Sequence, residues 1–138
     1  MSQPLSAEQL LAVLALLASG EARDADDVRS AAGETPEDRG AVLAQLAAHG
    51  VRRLADGRLQ LPGGADLLDA DGIMALRRSP DPAPVQVLGV TGSTHDAARA
   101  LIEAGADGVL SRALLAEAQV SGRGRRGRHW ASPVASNL

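Results

Sequence analysis

The chain has 138 residues, 45% of them hydrophobic and 22% charged, with a formal net charge of −3, a balance that argues against wholesale disorder. It contains no cysteine, which removes disulfides, thiolate metal sites and cysteine nucleophiles and suits a cytoplasmic protein. Its 14 basic residues are all arginine, so no lysine of this chain can act in catalysis, and with one Trp and neither Phe nor Tyr any core must be aliphatic.

Taken in order, Ser6-Ala7-Glu8-Gln9 is a capping box, in which the Ser6 hydroxyl accepts from a first-turn N–H and Gln9 reaches back. It predicts a helix over about 7–19, stopped near Gly20. The apolar run from Leu10 to Ala18 has no basic residues before it, unlike a signal peptide, and is shorter than the ~20 residues needed to span a bilayer. It therefore reads as a buried helix. Asp24 is expected to cap a short helix of about 25–32 that ends at Gly33, and Thr35-Pro36-Glu37-Asp38 to start a third, with Pro36 at the first helical position. This third helix runs to about His49, is closed by Gly50, and sets Val42, Leu43 and Leu46 at core spacing.

Two helices separated only by Gly33, Glu34 and Thr35 predict a helix-turn-helix. Val51-Arg52-Arg53-Leu54 and Arg58-Leu59-Gln60-Leu61 are strand candidates joined through Asp56-Gly57, the dipeptide most favoured in tight two-residue hairpins. Three helices and a hairpin make a winged helix-turn-helix over residues 1–65. Its candidate DNA contacts are Arg39 on the recognition helix and Arg52, Arg53 and Arg58 on the wing. Glu37 and Asp38 precede Arg39 where phosphate contact favours the opposite sign. The domain is thus either an operator-binding module or a remnant that packs against, or regulates, the rest of the chain.

Residues 66–84 read as a junction. Leu67-Leu68-Asp69 leads into a weak helix of about 70–77, and Arg78-Ser79-Pro80-Asp81-Pro82-Ala83-Pro84 is an extended linker, because alternate prolines forbid a helix. The charge balance shifts here: residues 1–79 carry 12 acidic and 8 basic side chains, residues 80–138 carry 5 and 6. Val85 to Val90 reads as a strand, Ser93 with Asp96 as the capping box of a helix over about 94–104, and Gly105 as its end. From Val109 to Ala118 propensity favours a helix, whereas the sheet begun by the preceding strand requires another strand.

The most specific stretch lies beyond this segment. From Gly122 to Arg128 four arginines and three glycines occupy seven consecutive positions, and Trp130, the only aromatic residue, comes just after. Glycine permits positive φ and close backbone approach, and each guanidinium presents a planar fork to phosphate or carboxylate. Trp130 is expected to anchor the end of the loop, with its indole N–H finding a partner. Such a loop has three uses: a solvated basic tail, a nucleic-acid backbone binder, or a cradle for a phosphate-bearing small molecule.

The neighbours of the loop narrow the choice. Gly92-Ser93-Thr94-His95-Asp96 opens a helix after a strand, and Glu117-Ala118-Gln119 ends the next element. Gly122-Arg123-Gly124-Arg125-Arg126-Gly127-Arg128-His129-Trp130 comes after it, with Ser132-Pro133 and Asn137-Leu138 behind. Together these resemble the start of the catalytic domain of biotin protein ligases. With the winged helix and Leu67-Leu68-Asp69 they resemble the bifunctional ligase/repressor type. The resemblance implies an α+β protein, a winged helix-turn-helix followed by the truncated start of an α/β ligase domain over residues 85–138, with Val109–Ala118 as a strand. It implies activation of biotin by ATP, with Mg2+ supporting the nucleotide, to biotinyl-5′-AMP, then transfer to a lysine of a biotin carboxyl carrier protein. Ser93, Thr94, His95, Gln119 and Arg123 match the positions that hold biotin. Gly122, Arg123, Gly124, Arg125, Arg126, Gly127, Arg128 and Trp130 match the adenylate-binding loop, which in the family is mobile without ligand and orders around the intermediate. Operator DNA and a liganded homodimer are implied as further partners.

The family continues into a Lys-Trp-Pro-Asn-Asp segment whose lysine engages biotin and phosphate. That segment is absent from this sequence, so the chain is expected to be the first part of a longer ligase, inactive by itself, with an exposed sheet edge prone to pairing. Plainer readings stand beside these. Ser93 and Thr94 are good helix N-caps. His95 and His129 lack a third ligand at metal spacing. Asp26-Asp27 and Glu37-Asp38 complement helix dipoles in first turns. The alternatives from other classes are a stand-alone winged-helix regulator whose Arg/Gly tail adds affinity for nucleic acid, and an inactive ligase remnant.

Overall fold

Residues 4–33, 39–78, 83–105 and 111–135 are described by a computed structural model, in which mixed helix and strand divide into two units, the first ending at Leu67 and the second starting at Leu68. In the first, the Ser6 box forms as expected: Ser6 Oγ accepts from the Gln9 N–H at 3.2 Å and Gln9 Oε1 accepts from the Ser6 N–H at 2.9 Å. It starts α1 (Ala7–Leu17), whose Leu10, Val13, Leu14 and Leu17 are buried on one face at the spacing of three and four that helical geometry sets. Val28 of α2 (Ala25–Ala31) and Leu46 of α3 (Arg39–Ala48) complete this core with Val51, Leu59 and Leu61. Each such side chain removed from water is worth about 1.5–3 kcal/mol.

Side-chain amides tie the segments that hydrophobic packing leaves loose. Gln45 of α3 binds both backbone groups of Leu5, accepting from its N–H at 2.7 Å and donating to its carbonyl at 3.2 Å. Gln9 donates to the Ala32 carbonyl at 2.8 Å, which closes the end of α2. Asp24 does stand at the N-cap of α2, but its side chain makes no capping bond; it is exposed, and water can take its place. Residues 34–38, with the Thr35-Pro36 helix start and most of the predicted turn, lie outside the described residues.

The hairpin pairs β1 (Arg52–Arg53) with β2 (Leu59–Gln60) in antiparallel register, Arg52 opposite Gln60 and Arg53 opposite Leu59. Its turn differs from expectation. Leu54 N–H donates to Arg58 at 2.8 Å, so Ala55, Asp56 and Gly57 form a three-residue loop, and Gly57 takes φ 88°. That is the other solution open to Asp-Gly, a turn followed by a left-handed glycine. On its far side β2 pairs with Arg23, whose N–H and carbonyl bond Leu59 at 2.8 and 2.9 Å.

The second unit begins with α4 (Ala70–Leu76), capped by Asp69, whose carboxylate accepts from the Asp71 N–H at 3.2 Å. Then come β3 (Val85–Thr91), α5 (Thr94–Glu103) and β4 (Ala113–Gln119). β3 and β4 pair in parallel, Val85 beside Ala113 through Thr91 beside Gln119. The Leu- and Ala-rich segment is therefore a strand despite its helical propensity, because pairing with β3 satisfies its backbone. Pro80 and Pro82 of the linker, and residues 106–110, lie outside the described residues. Burial in this unit concentrates at one end of the strands, on Ser93, Glu117, Ala118, Ser132 and Val134, while the rest of both strands is half-exposed. No helix among the described residues is long and apolar enough to cross a membrane.

Candidate functional site

Parallel pairing brings the carboxyl ends of β3 and β4 side by side, and each strand there hands over to a segment rich in polar groups. β3 leads through Gly92 to Ser93 and α5; β4 leads to the Arg/Gly loop. Backbone bonds fasten the two exits together, Val120 N–H to Thr91 at 3.0 Å and Ser121 N–H to Gly92 at 2.9 Å. The Ser121 hydroxyl also donates to the Gly92 carbonyl at 3.1 Å.

The predicted capping box of α5 does not form. Ser93 occupies the N-cap, yet its side chain makes no capping bond, and Asp96 turns away to pair with Arg123. Gln119 supplies the cap instead: its Oε1 accepts from the Thr94 N–H at 2.9 Å and from the Thr94 hydroxyl at 3.3 Å. Two groups are thereby left uncommitted among the described residues. The Ser93 hydroxyl, on a residue only 4% exposed, makes no hydrogen bond, and neither does the Gln119 amide nitrogen. Polar groups that the protein leaves without a partner are places where a ligand or water is expected. His95 is exposed in the first turn of α5, and its ring bonds nothing among the described residues.

The Arg/Gly loop folds back on itself. Trp130 N–H donates to the Gly122 carbonyl at 2.8 Å, Gly124 N–H to Arg128 at 2.7 Å, and Arg123 pairs with His129 as an isolated bridge. Gly122 is required at the base of this fold, since a Cβ there would stand 2.8 Å from the Trp130 carbonyl oxygen. The tip is a tight turn over Arg125–Arg128 whose two central residues are left-handed, Arg126 at φ 61° and Gly127 at φ 72°. A left-handed arginine costs of order 1–2 kcal/mol, which the bonds on either side of the tip must offset. Trp130 does not anchor the loop through its indole as expected: the residue is 59% exposed, its indole N–H bonds nothing among the described residues, and its backbone makes the hydrogen-bonded closure.

Among the described residues, Arg125, Arg126 and Arg128 have no acidic partner and stand exposed on the loop, while Arg123 is held by Asp96. The site thus combines, among the described residues, three guanidiniums, a hydroxyl and an amide nitrogen without protein partners on one end of the sheet. Behind it lies a feature that the sequence did not single out: Glu117 is buried, and its carboxylate accepts from the Leu68 N–H, tying the start of the second unit to β4. Only the burial of an acidic residue inside a strand could have signalled it, and burial is not visible in sequence. Among the described residues no cluster of three His, Asp or Glu side chains is placed to hold a metal.

In the first unit, Arg52 and Arg53 are exposed on β1, and Arg39 is exposed at the first described turn of α3. Arg39 and Arg53 border the same open groove, floored by Val28, Leu43 and Leu46. Arg58 is not a free cation, because Asp56 accepts from its Nε at 2.8 Å. Compared with known proteins, the chain matches no family model and no curated protein.

Proposed function

We propose that this protein takes part in ATP-dependent biotin ligation, binding biotin and its adenylate at the paired ends of β3 and β4. The observation that carries the reading is the set of uncommitted groups at that end: the Ser93 hydroxyl, the Gln119 amide and the guanidiniums of Arg125, Arg126 and Arg128. Biotin is a neutral bicyclic urea that needs both a donor and an acceptor, which the amide and the hydroxyl supply. Its carboxylate must approach a polyphosphate of the same sign. In the reaction a carboxylate oxygen attacks the α-phosphorus and pyrophosphate leaves; the carrier lysine amine later attacks the acyl carbon and AMP leaves. Fixed positive charge lowers the barrier to the first step. Within this sequence, which has no lysine, arginine is the side chain that can supply such charge. Mg2+ enters with the phosphates of ATP, and the described residues form no acidic cage of their own for it.

Thermal melting of the full chain with biotin plus ATP, or with biotinyl-5′-AMP, tests this reading. A rise in melting temperature that Arg125→Ala reduces is the expected outcome; no rise with either ligand rejects it.

A second reading concerns the first unit. The Arg23 bridge sets a third strand segment beside the hairpin, between α1 and α2, and with the exposed Arg52 and Arg53 this favours a winged helix-turn-helix that binds duplex DNA. If those two arginines meet phosphates, changing both to Ala should reduce the slope of log K against log salt by about 1.8, at roughly 0.9 per contact. An unchanged slope rejects a wing contact.

A further inference from the structure

Arg123 differs from the other three arginines of its loop. Among the described residues it alone has a carboxylate partner, Asp96, which projects from the first turn of α5. The pairing is a single contact, from one guanidinium nitrogen to Asp96 Oδ2; the Arg123 side chain remains 60% exposed, and its guanidinium makes no other hydrogen bond among the described residues. Asp96 Oδ1 is buried without a hydrogen bond, and Arg99 stands 3.5 Å from it, itself 3.8 Å from Glu103.

We propose that Asp96 is an internal anion that latches the Arg/Gly loop to α5 through Arg123, and that a ligand's carboxylate or phosphate enters by taking its place. The proposal rests on reading the loop as part of a ligand site. A one-point ion pair in a partly exposed setting is weak, whereas an incoming anion can engage the guanidinium fork in two parallel bonds. The exchange conserves charge pairing at both ends. The ligand anion replaces Asp96 on Arg123, and Asp96, released, has Arg99 beside it as its next partner. Asp96 is thus a positioning residue, acting on ligand only through Arg123. Without ligand it slows, but does not stop, the opening of a loop that the resemblance implies is mobile, and it raises the concentration of anion needed to open the latch.

Two measurements on the full chain test this. Trypsin digestion without ligand should cleave Asp96→Asn severalfold faster than wild type at Arg123, Arg125, Arg126 and Arg128, with cleavage after Arg52 and Arg53 unchanged. Asp96→Glu should restore slow cleavage, and Arg99→Ala should leave it slow. Calorimetric titration with ATP, and separately with biotin, should show at least one probe binding Asp96→Asn roughly two- to fivefold more tightly, the size expected for release of a partly exposed ion pair. That gain should vanish when Arg123→Ala is added. Cleavage of Asp96→Asn at the wild-type rate overturns the latch whatever the ligand. Faster cleavage with unchanged or weaker binding of both probes overturns the exchange. Failure of wild type and variant alike to bind either probe rejects the ligase reading together with the exchange, and leaves the digestion result to judge the latch alone.

Discussion

The side-chain oxygen of Gln119, at the last position of β4, caps α5 by accepting from both the N–H and the hydroxyl of Thr94. A cap taken from a neighbouring strand couples the helix to the sheet and frees the Ser93 hydroxyl from the duty its position suggests. Gln119→Ala should lower the stability of the second unit by about 1 kcal/mol, as loss of a helix cap does. Gln119→Glu keeps the acceptor and adds a charge that suits a helix start. It should melt close to wild type, yet, under the proposed function, lose the stabilisation that biotin plus ATP is expected to give, because the amide donors are gone. Thermal melts with and without ligand separate the two roles, and a Gln119→Ala protein as stable as wild type would exclude the capping role.

Gly122→Ala should open the Arg/Gly loop, since its Cβ would lie 2.8 Å from the Trp130 carbonyl oxygen, closer than real contacts permit. Gly124→Ala has 3.4 Å to the Arg128 carbonyl oxygen at its own Cβ and should leave the fold of the loop intact. Tryptic cleavage after Arg125 and Arg128 reports the difference. Equal rates in the two variants would remove steric closure as the reason for the glycine.

In the first unit, Leu17 has no solvent exposure, and Leu17→Ala should cost about 2–5 kcal/mol by creating a cavity in an aliphatic core. Leu76, 83% exposed in the second unit, should tolerate the same change to within about 0.5 kcal/mol. Denaturant unfolding of both variants checks the contrast.

Asp56 predicts an acid-side signature. Its carboxyl is held below the ordinary value of 3.8, first by the Arg58 backbone N–H, 3.0 Å from Oδ1, and then by the Arg58 guanidinium, 2.8 Å from Oδ2. A lowered value means that the ionised form favours the folded hairpin. Its contribution is complete above 3.8 and is lost as pH falls through the lower folded value. Carbon-detected NMR titration should therefore place the Asp56 midpoint below 3.8 in wild type and still below it in Arg58→Ala, which keeps the backbone donor. Arg58→Pro, which removes that donor, should raise the midpoint further than Arg58→Ala does.

Local chemistry was legible in the sequence. The Ser6-Gln9 box, the glycine stops, β3 and the extent of α5 all follow from spacing within a turn or a strand. β4 could not be read from its own residues, whose propensity is helical; the strand became legible only through resemblance and the need of β3 for a partner. The corrections share one cause. Ser93 with Asp96 has the spacing of a capping box, but Gln119 and Arg123, 25 and 27 residues away along the chain, compete for Thr94 and Asp96 and win. Glu117 bonds the Leu68 N–H across 49 residues, a distance over which no local pattern carries information. The indole bond expected of Trp130 did not form for a similar reason, since its backbone N–H is what bonds Gly122.

Because β3 and β4 run parallel, the groups gathered at their shared end come from stretches that α5 separates in the chain. A synthetic peptide of residues 121–135 would carry every loop arginine and yet be only a polycation, attracted to any anionic polymer and selective for none. Any discrimination among anions would require the helix and both strands to be assembled. Partial unfolding of this unit would therefore leave the charge without the arrangement around it, and with it a tendency to adhere to nucleic acid.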